Sequence, residues 1–171
     1  SAGAEAKSIL EYEYDYSPRQ VWLTGLPRYD HLYHNEQKEI LVMPTWRKWL
    51  MKDFDAAKSD KDAVHIRDDF SETEFGLFYS ELLSNERLLQ ACEKYGYHLS
   101  FMPHTNLREC LDMICKDERV QKCGFDRKYR DAFAEADLLV TDYSSTAMDF
   151  VYLGKPVIYA QFDQERFFSG E

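Results

Sequence analysis

Four short apolar runs, each ended by a breaker or an acid, constrain this chain more than any other feature. They are VWLT (21–24), followed by Gly25 and Pro27; ILVM (40–43), closed by Pro44; LSFM (99–102), closed by Pro103; and LLVT (138–141), closed by Asp142. Runs of this length that stop abruptly predict strands of a parallel sheet whose carboxyl ends open into loops. Helical spacing fills the intervals. Ser71 precedes Glu74 at capping-box distance, ahead of Phe75, Phe78, Tyr79, Leu82 and Leu83. Asn85 is placed to cap a second helix carrying Leu88, Leu89 and Cys92, which Gly96 ends. Leu107, Leu111 and Ile114 predict a further helix, followed by a short strand near Val120 and a helical patch around Tyr129 and Phe133. A last helix runs to Leu153, stops at Gly154 and gives way to the strand PVIYA (156–160). Residues 52–70 are charged and weakly periodic, which predicts a surface insertion. This alternation predicts an α/β domain with a largely parallel sheet flanked by helices.

Size and composition set the outer bounds. At 171 residues, 44% hydrophobic and 15% aromatic, the chain fits one globular domain with a real core, and two full domains would be cramped. Its net charge of −10 argues against nucleic acid as a partner, so any anion site must be local. Cys92, Cys110, Cys115 and Cys123 form no CxxC pair and have no histidines at metal-ligand spacing, which predicts reduced structural thiols, a cytoplasmic setting and no metal centre. No window approaches the ~18 apolar residues of a membrane span. The opening SAGAEAKS (1–8) reads in part as a cloning remnant, and 9–171 as a single domain excised from a longer protein.

In parallel sheets ligands sit beyond the carboxyl ends of the strands. Those positions carry Gly25 and Arg28; Thr45, Trp46 and Arg47; His104 and Thr105; and Asp142, Ser144, Ser145 and Thr146. Amides and hydroxyls at the start of the helix after Asp142 suit a phosphate, although the same Ser-Ser-Thr run would serve equally as an N-cap. Asp142 fits either a turn or a ligand contact, and Asp149, three residues after Thr146, fits a capping role better than ribose binding. His104 is either a satisfied structural histidine or a donor to a leaving phosphate. Arg47 is either stacked and ion-paired or a bidentate phosphate clamp, while Arg28 has the weaker claim of holding its loop. Neither GxGxxG nor GxxxxGK[ST] occurs, which disfavours a dinucleotide site or a P-loop.

TGLPRYDHL (24–32), ILVMPTWRKWL (40–50), LSFMPH (99–104) and ADLLVTDYSSTAMDFVYLGKPVIYAQFD (136–163) resemble, in this order, the CDP-glycerol glycerophosphotransferase family of teichoic acid polymerases and primases. The resemblance runs from about Val21 to the end of the chain. It implies two Rossmann-like domains in the arrangement called GT-B, of which this chain is the C-terminal, donor-nucleotide-binding half. It implies transfer of glycerol phosphate from CDP-glycerol, or ribitol phosphate from CDP-ribitol, to a membrane-linked acceptor at the inner face of the bacterial membrane, with no cofactor. Carried over by motif, Arg47, His104, Ser144 and Ser145 line the donor phosphates; the strand-end reading adds Asp142 and Thr146 beside them and Gly25 and Arg28 as loop support. The Trp-His-Gly loop that bears the family's base is absent from the chain, so the base is expected in a missing N-terminal domain and the fragment is expected to be inactive alone. Two alternatives share the phosphate seat: the nucleotide domain of a GT-B sugar-nucleotide glycosyltransferase, and a non-catalytic nucleotide-binding module.

Overall fold

A computed structural model of the chain describes residues 2–52, 65–124 and 126–169. The chain divides into two units, Ser1–Tyr33 and His34–Glu171. The first holds helix α1 (Ala2–Ser8), a π-helical turn (Ile9–Glu13) and a 3-10 turn (Pro27–His31). The predicted strand at 21–24 does not form. Trp22 and Leu23 are 76% and 70% exposed, and apolar composition without a neighbouring strand to complete the ladder does not make a strand.

The second unit is the α/β domain that the alternation predicts. Its strands are β1 (Glu39–Val42), β2 (His98–Phe101), β3 (Val120–Lys122), β4 (Ala136–Thr141) and β5 (Val157–Tyr159). All pair in parallel, in the order β3-β2-β1-β4-β5, with Ile40 of β1 opposite Leu99 on one side and Leu138 on the other. The chain therefore winds outward from β1 in one direction and returns to wind outward from β4 in the other. That reversal makes the β1/β4 boundary a topological switch point, where loops diverge and leave a crevice.

Right-handed crossovers place α2 (Glu74–Leu83), α3 (Glu86–Tyr95) and α4 (Leu111–Ile114) on one face, and α5 (Tyr129–Glu135) and α6 (Ala147–Tyr152) on the other. On the first face Phe75, Tyr79, Leu83 and Leu89 pack with Val42, Leu99 and Phe101, all nearly solvent-free. On the second, Phe133 and Phe150 meet edge to face at 5.8 Å. The cap of α2 is Thr73, whose hydroxyl accepts the Gly76 amide at 3.1 Å, not Ser71, which lies in a preceding 3-10 turn (Phe70–Glu72). Asn85 caps α3 by accepting the Leu88 amide, and Gly96 ends it in the left-handed region at φ 72°. The predicted helix around Leu107 begins as a 3-10 segment (Thr105–Cys110), because His104 takes the Asn106 amide and Leu107 departs from helical angles, so only its last turn is α-helical. Most of the predicted insertion, 53–64, lies outside the described residues.

Two cations, buried Lys155 and part-buried Arg127, lock the lower edge of the sheet. Lys155, 8% exposed, donates to the carbonyls of Phe133, Ala134 and Ala136, closing the end of α5 against the start of β4. Arg127 forms a two-pronged bond to Glu39 at 2.7 Å and reaches Glu135 at 2.6 Å. Burial would raise the Glu39 pKa, but Arg127 outweighs it and holds the carboxyl below its usual range. All four cysteines are buried free thiols, and burial pushes Cys110 up to about 12. Among the described residues, no helix is long and apolar enough to cross a membrane.

Candidate functional site

The loops after β1, β2 and β4 all leave the carboxyl edge of one parallel sheet, and β1 separates the other two strands. The residues predicted from three strand ends therefore belong to one edge. Across the switch point, Asp142 reaches into the β1 loop: its Oδ1 accepts the Thr45 amide at 2.9 Å as well as its neighbour Tyr143's amide at 2.6 Å. The Thr141 hydroxyl adds a second tie by donating to the Met43 carbonyl at 2.7 Å.

Arg47 lies beneath these loops, 2% exposed. Its Nε and Nη2 donate to the two oxygens of Asp163 at 2.7 and 3.0 Å, Nη2 also donates to Asp142 at 2.9 Å, and Nη1 donates to the Thr45 carbonyl at 2.6 Å. The rings of Tyr143, Phe167 and Phe75 surround the guanidinium at 4.9, 5.0 and 5.4 Å. Burial opposes its charge, yet Asp163 and Asp142 raise its pKa above the ordinary arginine value. The sequence left Arg47 between ion-paired stacking and a phosphate clamp; the geometry places it in a buried ion pair wrapped by aromatic rings.

Two tyrosines complete the acid pair. Tyr79 donates its hydroxyl to Asp142 at 3.1 Å, and Tyr143 donates to Asp163 at 3.2 Å. Burial, then the Asp142 charge, push Tyr79 well above its usual pKa; burial and Asp163 push Tyr143 up to about 12. Both therefore remain donors. The Tyr143 ring stacks on Phe167 of helix α7 (Gln164–Ser169) at 3.8 Å and 11°.

Above this floor the hydroxyl run begins α6. Ser144 and Thr146 share a 2.6 Å hydroxyl bond, and Ser144 also accepts the Thr146 amide at 3.3 Å. Thr146 makes no side-chain cap bond to the helix, and Ser145 is exposed. Two strands away, after β2, His104 is half-buried with its ring 6.1 Å from Trp46. Its Nδ1 accepts the Asn106 amide at 3.2 Å, so the neutral ring carries its proton on Nε2. Burial lowers its pKa below 6.5, favouring that neutral donor. Gly25, at φ 83°, and Arg28, stacked 5.2 Å over Tyr29, belong to the separate Ser1–Tyr33 unit. Among the described residues no cluster of His, Cys, Asp or Glu is arranged to hold a metal ion.

Asp163, Tyr79 and Tyr143 were not singled out from the sequence. Asp163 carries the same signal as the others, a polar residue beyond the carboxyl end of a strand, here β5. Tyr79 gave no such signal, because its helical spacing marks it only as core.

A five-stranded parallel sheet with polar loops meeting at its switch point defines a Rossmann-like α/β domain. Solved structures of the wall teichoic acid polymerase TagF share this fold. One has a TM-score of 0.50 at 19% identity, over 84% of this chain and 30% of that one. A variant of the same polymerase gives 0.50 at 18%, with the same coverage. Residues 1–169 match the family described as CDP-Glycerol:Poly(glycerophosphate) glycerophosphotransferase, and the chain belongs to that family. It is 34% identical over 170 residues to the minor teichoic acid biosynthesis protein GgaB of Bacillus subtilis (strain 168), a match that takes in 99% of this chain and 19% of that protein. The chain thus spans about a fifth of the length of that relative.

Proposed function

We propose that this chain is the donor-nucleotide domain of a polyol-phosphate transferase. The whole enzyme moves glycerol phosphate, or ribitol phosphate, from a CDP-polyol to a membrane-linked teichoic-acid-type acceptor at the inner face of the membrane. In this reading the domain is the C-terminal half of a GT-B pair and does not turn over alone. The observation that carries it is the polar edge at the β1/β4 switch point, in a chain whose family transfers glycerophosphate.

An acceptor hydroxyl attacks the polyol-bearing phosphorus, the bond to the bridging oxygen breaks, and CMP leaves. A base in the N-terminal domain takes the hydroxyl proton. In-line phosphoryl transfer asks for position and charge stabilisation more than covalent help. Ser144, Ser145 and Thr146 hold the donor phosphates, and His104 donates from Nε2 toward the leaving phosphate. Arg47 and Asp142 act from below by fixing the loops that carry these groups. This assignment follows from burial: a guanidinium already engaged by two carboxylates and a carbonyl is poorly placed to meet a ligand.

Competition calorimetry with CDP-glycerol, CDP-ribitol and UDP-sugars tests the reading. A cytidine preference is expected. Preference for a UDP-sugar would replace it with a glycosyltransferase, and no nucleotide binding at all would overturn it.

A further inference from the structure

We propose that Asp163 is a positioning residue for the donor site, acting on Ser144 and Ser145 through Arg47 and Tyr143 without touching the donor. The inference rests on the nucleotide-binding reading above.

Asp163 is 4% exposed and follows the last strand, on a segment with no hydroxyl or histidine of the site. It nonetheless makes three of the bonds that define the floor: two from Arg47 and one from the Tyr143 hydroxyl. Arg47 then passes to Asp142 and the Thr45 carbonyl, so one guanidinium fastens the β1 loop, the β4 loop and the segment after β5. Tyr143 is the residue immediately before Ser144, and it is held at both its hydroxyl and its ring, the latter by Phe167.

The chemistry of the cluster argues against a role in stability alone. Two carboxylates face one guanidinium, and tyrosine hydroxyls and backbone amides donate to the surplus negative charge. Apolar side chains of similar volume would fill such a space with equal or greater stability. What the ionic arrangement adds is direction: a planar fork meeting a carboxylate in two parallel bonds fixes both partners' orientation. A mobile hydroxyl loop would have to be ordered at each binding event, and that ordering weakens affinity.

Two variants test this by calorimetry with CDP-glycerol, at a temperature where circular dichroism shows each fully folded. Asp163→Asn keeps the volume and loses the charge, and should weaken binding about tenfold, the scale set by a side chain left to be ordered on binding. Tyr143→Phe keeps the ring stack and loses only the hydroxyl bond, so it should weaken binding by a smaller factor and provides the test if Asp163→Asn does not fold. Unchanged affinity with a lowered melting temperature would make the cluster merely structural. Tighter binding would mean that a released Arg47 reaches the phosphates itself. Either result overturns the proposal while leaving nucleotide binding intact, whereas failure of the unaltered protein to bind CDP-glycerol removes both readings together.

Discussion

Arg47 and Asp163, 116 residues apart in sequence, meet in a two-pronged ion pair with bonds of 2.7 and 3.0 Å, buried beneath the β1 and β4 loops. Removing one member strands the other as a buried charge. Arg47→Ala is therefore expected to cost about 3 to 5 kcal/mol. Arg47→Lys should recover little of it, because an ammonium cannot span both oxygens of Asp163 while also reaching Asp142. Urea denaturation of the two variants checks this; a lysine variant as stable as the parent would show that charge alone suffices.

Lys155 presents a separable case. Its ammonium closes three carbonyls at the junction of α5 and β4, at the edge of the sheet opposite the hydroxyl loop. Lys155→Met leaves those carbonyls without their charged donor and should destabilise the domain by roughly 3 kcal/mol. Nucleotide affinity at a temperature where the variant stays folded should not change. Loss of affinity in the folded variant would mean that the two edges are coupled.

His104 predicts a pH response. Burial lowers its pKa in the folded state below the 6.5 of the exposed ring. As pH falls past 6.5, the unfolded chain takes up the proton first, so the folded state loses stability on the acid side and has its full contribution above it. Stability measured on either side of 6.5 should show this slope, and His104→Gln should flatten it. An unchanged slope would mean that another group titrates there.

Much of this was legible in sequence wherever a residue's local pattern and its tertiary place agreed. Breakers after apolar runs located β1, β2 and β4, and Asn85 and Gly96 bounded α3 correctly because caps act within a few residues. VWLT failed because a strand needs a partner, and partners are not encoded in the run itself. The polar edge was legible, since strand ends of a parallel sheet must share it. The fate of Arg47 was not: whether a guanidinium faces a ligand or two buried acids depends on Asp142 and Asp163, which lie 95 and 116 residues away in sequence.

The hydroxyls between Tyr143 and Ala147 are proposed to hold the donor's phosphates. Ser144→Ala combined with Ser145→Ala, titrated with CDP-glycerol and melted in parallel, tests it most directly. Each lost charge-assisted contact should weaken binding by about 1.5 to 3 kcal/mol, with the melting temperature nearly unmoved. Affinity that holds while the melting temperature falls would make these hydroxyls helix caps and rule out the phosphate seat.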